Sequence, residues 1–176
     1  DSEGLSCRNW LVRSKGIAFS NSLVHRFAEH RCAIAILLVY LATATVYSLA
    51  IPIWEAYDED GHYQYAHYLL RNARLPHPGD PDAETIWEKF QPPLYYWAAA
   101  GVMRILGIDE PADPITNPYM YTGVSGLNYA IHEDTERMPF QGIALAVHVV
   151  RIMSVLIGAV SVAFSYLIGL RVAPGR

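Results

Sequence analysis

Two stretches of the chain are dominated by apolar positions. Residues 32–51, CAIAILLVYLATATVYSLAI, run for 20 positions without a charge. At 1.5 Å per residue, a helix of that length crosses a hydrocarbon core of about 30 Å. Pro52 predicts its end, because proline has no N–H to donate. The run is too long, and begins too far along, for a cleaved signal peptide. A second helix is predicted over 143–170, with 19 uncharged positions from Ile152 to Leu170. In it Ser154, Gly158, Ser161, Ser165 and Gly169 recur at near four-residue spacing. Small residues so placed let helix backbones approach closely in lipid, which predicts packing against other spans.

The pattern between these runs is mixed. Residues 58–74, DEDGHYQYAHYLLRNAR, open on three acids and close on Arg71 and Arg74, the charge order of a helix. His62, Ala66, Leu69 and Ala73 share one face, and Tyr63, Tyr65 and Tyr68 place aromatics around the rest. That suits a helix lying in a membrane interface. Residues 76–90 form a Pro/Asp/Gly-rich connection. Pro92-Pro93 then start a helix over 92–106 that ends at Gly107. It is too short to span comfortably and contains Arg104, so an interfacial or half-buried helix is expected. A short tilted span is the alternative and would invert the topology of the chain after it. Residues 108–141 carry Asp, Pro, Asn and Gly in a pattern that supports no long helix. Asn117, Asn128 and His132 are candidate contacts there.

Charge adds an orientation. Residues 1–31 hold five Lys/Arg, and 171–176 keep Arg171 and Arg176. The positive-inside rule makes both ends cytoplasmic and the loop 53–142 extracytoplasmic. The expected fold class is therefore all-α: a polytopic helical membrane protein. It has a cytoplasmic segment 1–31, a span 32–52, an outer loop 53–142 with juxtamembrane helices at about 58–74 and 92–106, a span 143–170, and a cytoplasmic end 171–176. The sequence reads as an amino-terminal piece of a larger bundle.

Composition removes whole classes. Charged residues are only 17% of the 176, against 52% apolar. An average soluble domain carries about 25% charge, so neither a disordered tail nor an ordinary soluble domain fits. The net charge of −4 gives no basic face for nucleic acid. Two cysteines, Cys7 and Cys32, make neither a disulfide framework nor a metal motif.

The chemistry-bearing cluster is Glu55, Asp58, Glu59, Asp60 and His62, all within ten residues of the outer end of the first span. Such a group can deprotonate a hydroxyl or bind a divalent cation through oxygen ligands. It can also do no more than cap a helix and face water. Arg151 lies one turn inside the second span, with His148 nearby. It either snorkels to the interface, orients the carboxylates, or holds a lipid phosphate by bidentate hydrogen bonds. Tyr95, Tyr96 and Trp97 read as an interfacial belt, or alternatively as a sugar-stacking platform.

The order of these features is informative. A span and a proline precede an acidic pair with a nearby His and an aromatic amphipathic helix. Then come Q-P-P-L-Y-Y, and R-x-x-S opening the next span. This resembles the start of the GT-C superfamily of polytopic glycosyltransferases, nearest to the bacterial protein O-mannosyltransferase and aminoarabinose transferase group (glycosyltransferase family 39-like). The matching stretches are 52–76, 91–107 and 144–170. The resemblance implies an enzyme of the bacterial plasma membrane that moves a sugar from a polyprenyl-phosphate carrier to an extracytoplasmic acceptor, with inversion. It implies Asp58 and Glu59 as the catalytic acidic pair, Asp58 being the base. It implies His62, Gln91, Tyr95 and Arg151 as substrate contacts. The segment 108–141 is longer than in better-studied members, and Asp60 adds a third acid beside the pair. No cofactor is expected in this branch; if a divalent metal is used, Glu55, Asp58, Asp60 and His62 are its candidate ligands. The expected partners are the polyprenyl-linked sugar, the lipid bilayer and an unassigned acceptor. The rival reading is a non-catalytic membrane component that binds a lipid carrier or assembles an envelope glycan complex. A transporter is the weaker rival, since the ionisable residues gather at the surface and not at the midplane.

Overall fold

The computed structural model describes residues 30–120 and 128–172. Among them are four α-helices: α1 (His30–Ala50), α2 (Glu59–Asn72), α3 (Leu94–Leu106) and α4 (Gly142–Val172). Short 3-10 turns lie at Pro81–Ala83 and Asp134–Glu136, and one antiparallel bridge pairs Thr116 with Ala130. The expected segments 1–31 and 171–176 lie largely outside the described residues. α1 and α4 are both long and apolar enough to cross a membrane.

The described chain divides into two compact units. One comprises residues 30–42 and 158–172. There the Gly158 backbone meets the Tyr40 ring so closely that a Cβ at 158 would collide with the Tyr40 hydroxyl. This is the approach that the small-residue spacing predicts. His30 Nδ1 and the Tyr166 hydroxyl are hydrogen-bonded at 2.5 Å in the same unit. Ile36, Leu38, Val39, Phe164, Leu167 and Ile168 remain exposed, an apolar surface that water does not favour.

The second unit, 43–157, is built around the α2–α3 pair. Pro93 fixes the start of α3. Gly107, at φ 69°, ends it by donating its N–H to the carbonyls of Met103 and Arg104. Tyr96, Ala99, Ala100 and Met103 form the buried face of α3, and Leu94 and Ile105 are left exposed. Against that face α2 turns Tyr65, Ala66, Tyr68 and Leu69, all nearly inaccessible. Tyr65 and Tyr96 rings lie 4.3 Å apart. Tyr63 meets the Trp54 ring edge-on at 5.5 Å and donates its hydroxyl to Glu110 O. This corrects the expectation of a tyrosine-lined helix facing lipid headgroups. The tyrosines are interior, where each ring supplies apolar area and the Tyr63 and Tyr68 hydroxyls find partners in the Glu110 carbonyl and Asp80. The first turns of α4 bury Ala144, Ala146, Val147 and His148 in the same unit.

The loop after α2 is tied by Asp80. This buried carboxylate accepts hydrogen bonds from the Tyr68 hydroxyl, Arg74 Nη1 and the Asp82 N–H. Arg74 and Tyr68 hold the Asp80 carboxyl down at about 2.

Candidate active site

α1 stops at Ala50 because Pro52 cannot continue the ladder. The chain then makes a tight bend in which Trp54 and Asp58 take left-handed backbone conformations, φ 69° and 65°. Such a conformation is uncommon for a bulky residue such as tryptophan and more tolerable for aspartate. Such residues persist where their surroundings over-determine them, often at functional sites. At Trp54 the backbone N–H is held by the carboxylate of Glu59.

Glu59, the first residue of α2, accepts the Trp54 N–H at 2.8 Å. It also takes a two-pronged pair from Arg151, Nε to Oε1 at 2.6 Å and Nη2 to Oε2 at 2.7 Å. The remaining Arg151 donors reach the end of α1: Nη1 to Ser48 O at 3.1 Å and Ile51 O at 2.5 Å, and Nη2 to Pro52 O at 3.0 Å. All five guanidinium N–H groups are thereby committed, the full complement of the side chain. Of the alternatives for Arg151, the orienting of a carboxylate is the one this geometry matches. His148, one turn earlier on α4, shares the Ser48 carbonyl at 2.7 Å.

Glu55 is equally occupied. It accepts the N–H groups of Tyr129 at 2.9 Å and Ala130 at 3.0 Å, and meets His132 Nε2 at 2.9 Å. The other His132 nitrogen meets Glu136 at 2.6 Å. Burial pulls the imidazole down, but the two flanking carboxylates outweigh it and raise its pKa. For Glu55, burial pushes up, and the backbone N–H groups with His132 bring the net shift down.

Asp58 differs from both. It is the residue that precedes α2, yet its side chain makes no capping hydrogen bond. Its carboxylate has no hydrogen-bond partner among the described residues. Burial at the turn, then the charges of Glu88 and Asp60 against that of His62, raise its pKa. The helix-capping reading of this acid therefore has no contact behind it.

His62, one turn along α2, hydrogen-bonds the Tyr96 hydroxyl at 2.8 Å and lies 4.0 Å from Glu88. It lines an open recess of about 400 Å³ with Gln91, Pro92, Tyr95 and Tyr96. Three of the residues expected to contact substrate, His62, Gln91 and Tyr95, thus share one concavity. Tyr95 also bonds Ser154 at 2.9 Å, three residues after Arg151. Arg151 does not line the recess. The Tyr96 hydroxyl is pushed up to about 12 by burial and by Glu88, so it stays a neutral donor.

Glu55, Asp58, Asp60 and His62 do not gather into a ligand set. Among the described residues no three His, Cys, Asp or Glu side chains are placed to hold one metal ion. Sequence reasoning missed the role of Glu55 as the clasp of residues 129–132. Its partners lie more than seventy positions away and carry no local signal. Comparison with known proteins gives no match to a family model, a curated protein or a solved structure.

Proposed function

We propose that this chain belongs to a membrane glycosyltransferase of GT-C type, with Asp58 as the general base. In this reading α1 and α4 span a bacterial plasma membrane and residues 53–142 lie outside it. A polyprenyl-phosphate sugar presents its anomeric carbon from the recess that His62, Gln91, Tyr95 and Tyr96 line, within reach of Asp58. The acceptor hydroxyl oxygen attacks that carbon from the face opposite the phosphate. As the new C–O bond forms, the hydroxyl proton passes to Asp58 and the bond from carbon to phosphate oxygen breaks. The electron pair leaves with the polyprenyl phosphate, and the sugar centre inverts.

One observation carries the reading. Of the four carboxylates at the rim, Glu55 and Glu59 are saturated by hydrogen bonds, whereas Asp58 and Asp60 are unengaged among the described residues, and Asp58 is the member of the Asp58-Glu59 pair that stays free. A base needs a free lone pair within reach of the proton it removes. Glu59 and Arg151 serve as positioning residues that fix the turn. The carrier-binding rival gives Arg151 a phosphate to hold, which would require displacing Glu59.

The test is transfer by the intact membrane protein from a radiolabelled polyprenyl-phosphate sugar. Asp58→Asn should lower the rate about 10²–10⁴-fold, the usual contribution of a positioned base. The acidic limb of the pH profile should lie above the ordinary aspartate value of 3.8 and vanish in the variant. Near-normal transfer by Asp58→Asn overturns the assignment.

A further inference from the structure

A second concavity lies on the other side of the first turn of α2. Asp60, Gln64, His67, Tyr68 and Arg71 fall on one stripe of the helix and form one wall. Over eleven residues that stripe is about 17 Å long. The facing wall comes from Asp82, Thr85, Ile86 and Trp87, with Pro111 and Ala112 beyond, and the groove encloses about 760 Å³.

The two ends of the groove differ. At the far end the polar groups are used internally: His67 and Arg71 both hold Asp109, and Tyr68 holds Asp80. At the near end they are free. Asp60, Gln64, Thr85 and the Trp87 indole N–H have no hydrogen bond to any described residue. Trp87 is half exposed, and its ring rests on the backbone of Gly61. A Cβ at 61 would lie 2.7–2.9 Å from the indole, so the glycine lets the ring settle on the turn that carries Asp58.

An indole face flanked by an amide, a carboxylate and a hydroxyl suits a pyranose. The apolar C–H face of such a ring stacks on the aromatic, and its hydroxyls need paired donors and acceptors at the edge. A peptide would want an exposed strand edge or several apolar side-chain pockets. The groove offers neither: Ile86 is buried, and the walls are mainly polar.

We infer that the groove between α2 and residues 82–87 binds the acceptor, and that the acceptor is a glycan whose terminal sugar stacks on Trp87 next to Asp58. This rests on the glycosyl-transfer reading for the word acceptor; glycan binding itself does not depend on it.

The experiment separates the two. The full chain in detergent micelles is titrated with a panel of trisaccharides of glucose, mannose, galactose and N-acetylglucosamine. A blocked Ser/Thr/Ala/Gly peptide of similar length is titrated in parallel. Binding is read by tryptophan fluorescence and saturation-transfer NMR. At least one trisaccharide should bind and the peptide should not. Trp87→Ala should weaken that binding about tenfold or more, as loss of an aromatic anchor does. Gln64→Ala, which leaves the packing of Trp87 on Gly61 in place, should weaken it by a smaller factor. Asp58→Asn should keep sugar binding and lose transfer. Retained transfer in Asp58→Asn alongside Trp87-dependent binding would sink the catalytic reading and leave the groove standing. No binding by any trisaccharide, binding indifferent to both Trp87→Ala and Gln64→Ala, or binding of the peptide alone overturns the groove.

Discussion

At the scale of single residues, three consecutive carboxylates differ in their surroundings because their partners differ. Asp58, Glu59 and Asp60 are chemically similar and consecutive, and nothing in D-E-D ranks them. The ranking comes from Arg151, 92 positions from Glu59, whose planar fork fits one carboxylate and three carbonyls at once. Both side chains of the pair are largely buried, about 12% and 14% exposed. A lysine cannot reproduce five directed donors, so Arg151→Lys should release Glu59 and loosen the turn that presents Asp58. If Arg151 acts through Glu59, then Glu59→Gln should lower turnover much as Arg151→Lys does. The double variant should then be little worse than either single one, because both remove the same contact. The fall should appear in kcat, with the KM for the polyprenyl-phosphate sugar nearly unchanged. Were Arg151 instead a phosphate ligand, its replacement would raise that KM and add to the effect of Glu59→Gln. A double-variant cycle on steady-state kinetics decides between them.

Elements of the fold were legible to different degrees. α1 and α4 are plain in the sequence because twenty uncharged apolar residues have few other uses. The short helices were legible from their ends: acids before α2, Pro92-Pro93 and Gly107 around α3. What the α2 pattern could not say is which environment its tyrosines meet. Tyrosine suits a lipid interface and a protein interior with satisfied hydroxyls almost equally, and only the pairing with α3 chooses the interior. The segment 128–136 was still less legible. It has almost no regular structure, and it is held by Glu55 and His132. That clasp has a pH signature. The His132 pKa is raised above its ordinary 6.5, so its contribution is complete below 6.5 and fades as pH rises through the folded value. Glu55 is lowered below 4.5, so its contribution is complete above 4.5 and fades as pH falls through the folded value. Both act together between about 4.5 and 6.5. The melting temperature in detergent should therefore decline as pH is raised from 6 to 9. His132→Gln, which keeps size but cannot gain a proton, should melt lower at pH 6 and show a flatter slope. An unchanged slope in the variant would remove His132 as the titrating group.

At the scale of the whole molecule, the question is which side of a bilayer the acids face and whether the chain between α1 and α4 stays there. By the positive-inside rule the lysine and arginine distribution predicts residues 53–142 outside, and it leaves α3 open to crossing and inverting the remainder. Packing within residues 43–157 argues against a crossing. Glu55, before α3, grips Tyr129, Ala130 and His132, after it. Tyr63 likewise reaches past α3 to the Glu110 carbonyl. A helix of 13 residues, about 20 Å long, cannot cross a core of about 30 Å while its two flanks hold each other. Exposed positions on either side give the test. In a background with Cys7 and Cys32 replaced by serine, Tyr57→Cys and Phe90→Cys report the chain before α3. Thr135→Cys reports the chain after it, and Lys15→Cys reports the amino-terminal segment. In intact cells a membrane-impermeant maleimide should label the first three, and Lys15→Cys only after permeabilisation. If Tyr57→Cys and Thr135→Cys label from opposite sides, α3 crosses the membrane and the Glu55 clasp is not formed there. If all three loop positions need permeabilisation, Asp58 faces the cytosol and cannot serve an extracytoplasmic acceptor.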